Sequence, residues 1–119
     1  MTTAELKERT MQFAVRVLKL ADALPGNKPS GRTIGGQIAR SGCSVASNYR
    51  AALRGKSRAD FINKITIVLE EADETTFWIE LTARIGLLPA GRLESLRVEA
   101  EELTKIFNAT RTTAKNHKS

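Results

Sequence analysis

The chain has 119 residues, enough for one domain around one core. Apolar residues make up 41% of it and charged residues 27%, which excludes a disordered chain, and no apolar run reaches the roughly 18 residues that span a membrane. The net charge of +6 favours anionic partners, and the single cysteine, Cys43, excludes an intramolecular disulfide framework.

The first helix opens on Thr2-x-x-Glu5, a capping-box pattern. Its core face runs Leu6, Phe13, Val17, Leu20, Ala21 and Leu24, with the alternating three and four spacing of an amphipathic helix. Pro25 to Pro29 stops it. Ser30 is the expected cap of the second helix, whose core face is Ile34, Ile38, Val45, Tyr49 and Leu53, and Gly55 ends it. Gly35, Ala39, Gly42 and Ala46 share one side of that helix, where a neighbouring helix can pack closely. Ser57 to Asp60 resembles a capping box and opens the third helix, which runs to about Ile85. Its core stripe is Phe61, Ile65, Val68, Ala72, Ile79 and Ala83, and Gly86-Leu87-Leu88-Pro89 is a strong stop. The fourth helix repeats Leu93, Leu96, Ala100, Leu103, Phe107 and Thr110. Short connections between long helices predict an all-α, up-down-up-down four-helix bundle over residues 1–110. Residues 111–119 are expected to form a flexible basic tail.

On the third helix, Ile67, Phe77, Trp78, Leu81 and Ile85 fall opposite the core stripe, where a monomeric bundle needs polar residues. A patch of this kind predicts a contact between subunits, hence a homo-oligomer.

Catalytic and metal chemistry find little support. The richest carboxylate cluster is Glu70, Glu71, Asp73, Glu74 and Glu80, but the one histidine, His117, lies in the tail, so no Glu-x-x-His pair exists for a di-metal bundle. Glu70 and Glu74 project away from the core and are expected to face solvent or to be ion-paired. Gly35-Gly36 follows no strand and forms no phosphate loop. Cys43 has no metal-type spacing around it. Neither an enzyme nor a metal or other cofactor is expected.

The basic residues are ordered. Between Asp22 and Asp60 stand Lys28, Arg32, Arg40, Arg50, Arg54, Lys56 and Arg58, and no acid. On the second helix Arg32, Arg40, Arg50 and Arg54 share one sector, a row that spans about 33 Å at the usual helical rise. Such a row suits bidentate contact with successive phosphates. With no aromatic run to stack bases, binding would be led by the backbone and sensitive to salt. The same arginines equally suit pairing with the acids of the third helix, in the same or a neighbouring subunit. Lys105, Arg111, Lys115 and Lys118 add positive charge after the last acid, Glu102. The polar stretch from Met1 to Thr10 carries no signal peptide, and a lone thiol suits a reducing compartment, so a cytoplasmic protein without a membrane partner is expected.

The run Arg40-Ser41-Gly42-Cys43-Ser44-Val45-Ala46-Ser47-Asn48-Tyr49-Arg50-Ala51 is followed by Ser57-Arg58-Ala59-Asp60-Phe61-Ile62-Asn63-Lys64. Glu70-Glu71-Ala72-Asp73-Glu74-Thr75, Trp78-Ile79-Glu80-Leu81 and Gly86-Leu87-Leu88 come after. Together, over about residues 10 to 110, these resemble the bacterial four-helix-bundle family encoded in intervening sequences of 23S ribosomal RNA genes. The resemblance implies a homopentameric barrel with no assigned enzymatic activity. A related branch is the accessory protein of diversity-generating retroelements, a basic pentamer associated with reverse transcriptase and RNA. Where that family usually has an acid after Asn-Tyr-Arg, this chain has Ala51, which leaves the second helix more positive. The expected function is therefore a non-catalytic adaptor associated with RNA, DNA or a nucleic-acid-handling protein such as a reverse transcriptase. Arg32, Arg40, Arg50, Arg54 and Arg58 would be its anion contacts. The alternative is an oligomeric protein-interaction scaffold that binds no nucleic acid.

Overall fold

Thr2 begins the first helix in the way its sequence predicts. Its hydroxyl accepts from the Glu5 amide (3.0 Å), and the Glu5 carboxylate accepts from the Thr2 amide (3.0 Å). This starts α1, Thr3–Ala23. The structure is a computed structural model and describes residues 1–117, so Lys118 of the expected basic tail lies outside the described residues. In α2, Pro29–Ala52, proline takes the first helical position, where a missing N–H leaves nothing unsatisfied. The chain therefore enters the helix before Ser30, which does not act as the cap; Lys28 occupies that position without a side-chain hydrogen bond. Ser57 does cap α3, Arg58–Arg84, by accepting from the Asp60 amide (3.0 Å). Gly86 closes α3 with φ 71°, its amide donating to the Ala83 carbonyl and that of Leu87 to the Thr82 carbonyl (both 3.1 Å). α4 runs Ala90–Asn116.

The four helices form an elongated bundle, 52 × 22 × 20 Å, with no strand among the described residues. α2 packs on both α1 and α3, and α3 on both α2 and α4, whereas the backbones of α1 and α4 stand farther apart. Phe13, Val17, Ile38, Val45, Ile65, Val68, Ile79, Leu93, Leu103 and Phe107 fill the core. Tyr49 meets Phe107 edge to face at 5.2 Å. The small face of α2 lies against α1, so that a Cβ on Gly42 would stand 2.5 Å from Val17 Cγ1. Between α2 and α3, the buried Thr75 hydroxyl donates to Ser41 Oγ (2.9 Å), which donates to the Ile38 carbonyl (3.3 Å).

Two expectations need correction. Leu53 is exposed and Ala52 takes its place in the core, because Leu53 already terminates α2 and has left the buried register. Residues 111–116, expected as tail, are the last turns of α4. Phe61, Ala83 and Thr110 lie at the rim of the core, half-buried.

Candidate nucleic-acid interface

In an up-down bundle the start of α1, the end of α2, the start of α3 and the end of α4 share one end of the molecule. The contacts agree. Arg58, first residue of α3, donates from Nε to the Ala114 carbonyl (2.7 Å) and from a terminal nitrogen to that of Lys115 (2.6 Å). Arg111 donates to Thr66 Oγ1 (2.9 Å). This end therefore collects Lys7, Arg50, Arg54, Lys56, Arg58, Lys64, Arg111 and Lys115, against Glu5, Glu8 and Asp60. Asp60 is engaged locally, accepting from the Lys56 amide (3.3 Å). Most of the remaining acids lie on the middle of α3 and on α4. The arrangement was hidden in the sequence, where the basic row of α2 and the basic end of α4 are some 60 residues apart.

The predicted arginines do not share one fate, although all five are exposed. Arg32 lies at the opposite end of α2 and donates to the Gly26 carbonyl (3.1 Å). Arg40 spans to α3, where it pairs with Glu71 (2.7 Å) and with Glu74. Its hydrogen bond to Glu71, reinforced by Glu74, holds the guanidinium above its ordinary value. Arg58 spends its donors on the carbonyls that end α4. Arg50 and Arg54 make no hydrogen bond or ion pair among the described residues. They are the two arginines of the row without a partner among the described residues.

The acidic cluster of α3 divides similarly. Glu71 and Glu74 serve Arg40, while Glu70, Asp73 and Glu80 are exposed and lie outside every ion pair of the described chain. Among the described residues no three His, Cys, Asp or Glu side chains gather in a metal-binding group. No helix of the described chain is long and apolar enough to cross a membrane.

Of the predicted subunit contact, Phe77 is 53% exposed, Ile85 48% and Ile67 38%. Trp78 and Leu81 are only half-buried. Trp78 packs against the edge of the core, donates from Nε1 to Glu74 (3.2 Å) and meets the Phe77 ring at 4.9 Å. Part of the tryptophan thus belongs to the monomer. A second exposed apolar stripe, Met11, Val15 and Leu18, was missed. Its four-then-three spacing on the first helix, away from the Phe13 and Val17 face, was the signal that could have revealed it.

Comparison with known proteins places this geometry. Residues 2–109 match the family described as 23S rRNA-intervening sequence protein. Among solved structures, the chain is similar to a protein of unknown function from the S23 ribosomal protein family of Bacteroides thetaiotaomicron. The two are 36% identical with a TM-score of 0.86, and the match covers 94% of this chain and 99% of the other. No significant match exists among curated proteins. The family pattern runs through all four helices and a relative superposes along nearly its whole length, so the chain belongs to the 23S rRNA-intervening sequence protein family.

Proposed function

We propose that this protein is a non-catalytic, homo-oligomeric adaptor of the cytoplasm, a pentamer by family resemblance, that associates with nucleic acid or a ribonucleoprotein. The observation that carries this reading is the pair Arg50 and Arg54, unpartnered at an end of the bundle where basic side chains outnumber acids. Lys56 and Lys115, both exposed, lie at the same end of the bundle. Repetition of that end around an oligomer would convert weak phosphate contacts into avidity. The internal engagement of Arg40 and Arg58 favours the second reading, a protein-interaction scaffold whose arginines hold the fold.

A titration of structured RNA and duplex DNA at several salt concentrations separates the two. Binding led by counterion release loses about 0.7 to 0.9 in log affinity per tenfold rise in salt for each phosphate neutralised. The double variant Arg50→Gln/Arg54→Gln should bind more weakly and with a shallower salt slope, its helical content unchanged because both side chains are exposed. Absence of wild-type binding at low salt, or equal binding by the variant, would leave the scaffold reading standing.

A further inference from the structure

Nine large apolar side chains stand exposed among the described residues, and six of them fall on two stripes. One is the α3 ridge: Ile67, Phe77 and Ile85. The other is the Met11, Val15 and Leu18 stripe of α1, at 47%, 39% and 43% exposure. The first stripe lies on the outer side of α3. The second lines a groove, because α2 presents only small side chains beside it, Cys43, Ala46 and Ser47. The remaining three, Met1, Leu53 and Val98, lie apart from both.

The charges around the two surfaces are opposite. Lys7 and Arg50 line the groove. Neither takes part in an ion pair of the described chain. Along the ridge helix stand Glu70, Asp73 and Glu80, which enter no ion pair of the described chain, although Lys105 of α4 lies beside Asp73 and Glu80, and Arg84 beside Phe77. Within one molecule these groups cannot neutralise each other, since the groove lies between α1 and α2 whereas the ridge faces outward from α3. An apolar ridge whose flanks carry three exposed acids, Glu70, Asp73 and Glu80, against one base, Arg84, and an apolar groove flanked by bases are complementary in sign.

We infer that the α3 ridge of one copy docks in the α1/α2 groove of the next, with Phe77 as the central anchor. This rests on the oligomer reading above and adds the second surface that the reading lacked. The two surfaces differ, so the contact is heterologous: each copy offers one ridge and one groove, and assembly proceeds head to tail until it closes. A symmetric dimer would instead pair like with like and leave the groove empty.

The test disables one surface at a time. Phe77→Asp removes the ridge and Val15→Asp the groove, and both positions are exposed enough to accept the change in a folded monomer. Light scattering of the wild type should give an oligomer and that of each variant a monomer. An equimolar mixture should then give a one-to-one heterodimer and nothing larger, because one sound ridge and one sound groove remain. Circular dichroism checks the fold, and Met11→Ser gives the same readout if Val15→Asp lowers helicity. Persistence of the wild-type oligomer in both groove variants overturns the inference while sparing the oligomer reading. A monomeric wild type overturns both. Arg50 is left intact, since it borders the groove and the basic end alike, so assembly is read apart from nucleic-acid binding.

Discussion

Gly42 and Gly36 lie less than two turns apart on α2 and should respond to alanine in opposite ways. A Cβ on Gly42 meets three atoms of the Val17 side chain between 2.5 and 2.8 Å. Valine is branched at that point and cannot swing away, so α1 must move or strain must be stored. Overpacking of this kind costs about 1–3 kcal/mol, and the better helix propensity of alanine returns at most about 1 kcal/mol. Gly42→Ala should therefore lower the urea midpoint. Gly36 is exposed with nothing within 4 Å of its Cβ position, so Gly36→Ala should raise the midpoint by up to about 1 kcal/mol of stability. Equal effects at the two sites would remove close approach as the reason for the small face. That face was legible in the sequence because Gly35, Ala39, Gly42 and Ala46 repeat at helical spacing. Which neighbour it admits was not, since spacing along one helix carries no information about the helix opposite.

The ends of the helices show how far local sequence reaches. The Thr2–Glu5 and Ser57–Asp60 caps and the Gly86 stop were legible because every group involved lies within a few residues of its partner. The Glu5 carboxyl is held below its ordinary value of 4.5 chiefly by the Thr2 amide, then by the Thr2 hydroxyl. A carboxyl depressed in this way stabilises the fold fully above its unfolded value and loses that contribution as the pH falls through its lower folded value. Acid titration should thus loosen the first turn of α1 from below about pH 4.5 downward, seen as faster amide exchange there than in the rest of α1; an unchanged first turn at pH 2–3 would dismiss the contribution of the Glu5 carboxylate, since the Thr2 hydroxyl half of the cap does not titrate. The end of α4 was misread for a corresponding reason. Its segment from Arg111 onward is polar and basic, yet Arg58, more than 50 positions earlier, donates to its final carbonyls. Arg58→Gln should speed amide exchange over residues 112–116 while lowering global stability by no more than about 1 kcal/mol, the size of an exposed charged cap.

The bundle as a whole is a chain of three tight seams and one loose one. The α1 backbone runs close to α2 but stands farther from α4, and polar bonds reinforce the apolar side chains that share the core across that seam. Arg9 places Nε and a terminal nitrogen on the two oxygens of Glu99 (2.8 and 2.6 Å) and reaches Glu102 as well (2.6 Å). Arg16 adds a bond to Ser95 Oγ (2.9 Å). Sequence periodicity reveals four core stripes but cannot rank the seams between them, because an ion pair over 90 positions leaves no local pattern. The Arg9 fork is half-buried, with Glu99 only 16% exposed, so removing the arginine strands a carboxylate that water reaches poorly. Arg9→Gln should destabilise the fold by about 1–2 kcal/mol, more than an exposed surface pair contributes. Arg9→Lys should recover only part of this, since a single ammonium cannot grip both Glu99 oxygens and Glu102 at once. The loss should also be uneven. Amide exchange should quicken along α1, whose only other firm seat is α2, and change least in α3, which is packed on both sides. An Arg9→Gln protein with the wild-type urea midpoint and unchanged α1 exchange would mean that apolar contact through Phe13 and Leu103, not the fork, holds the loose seam shut.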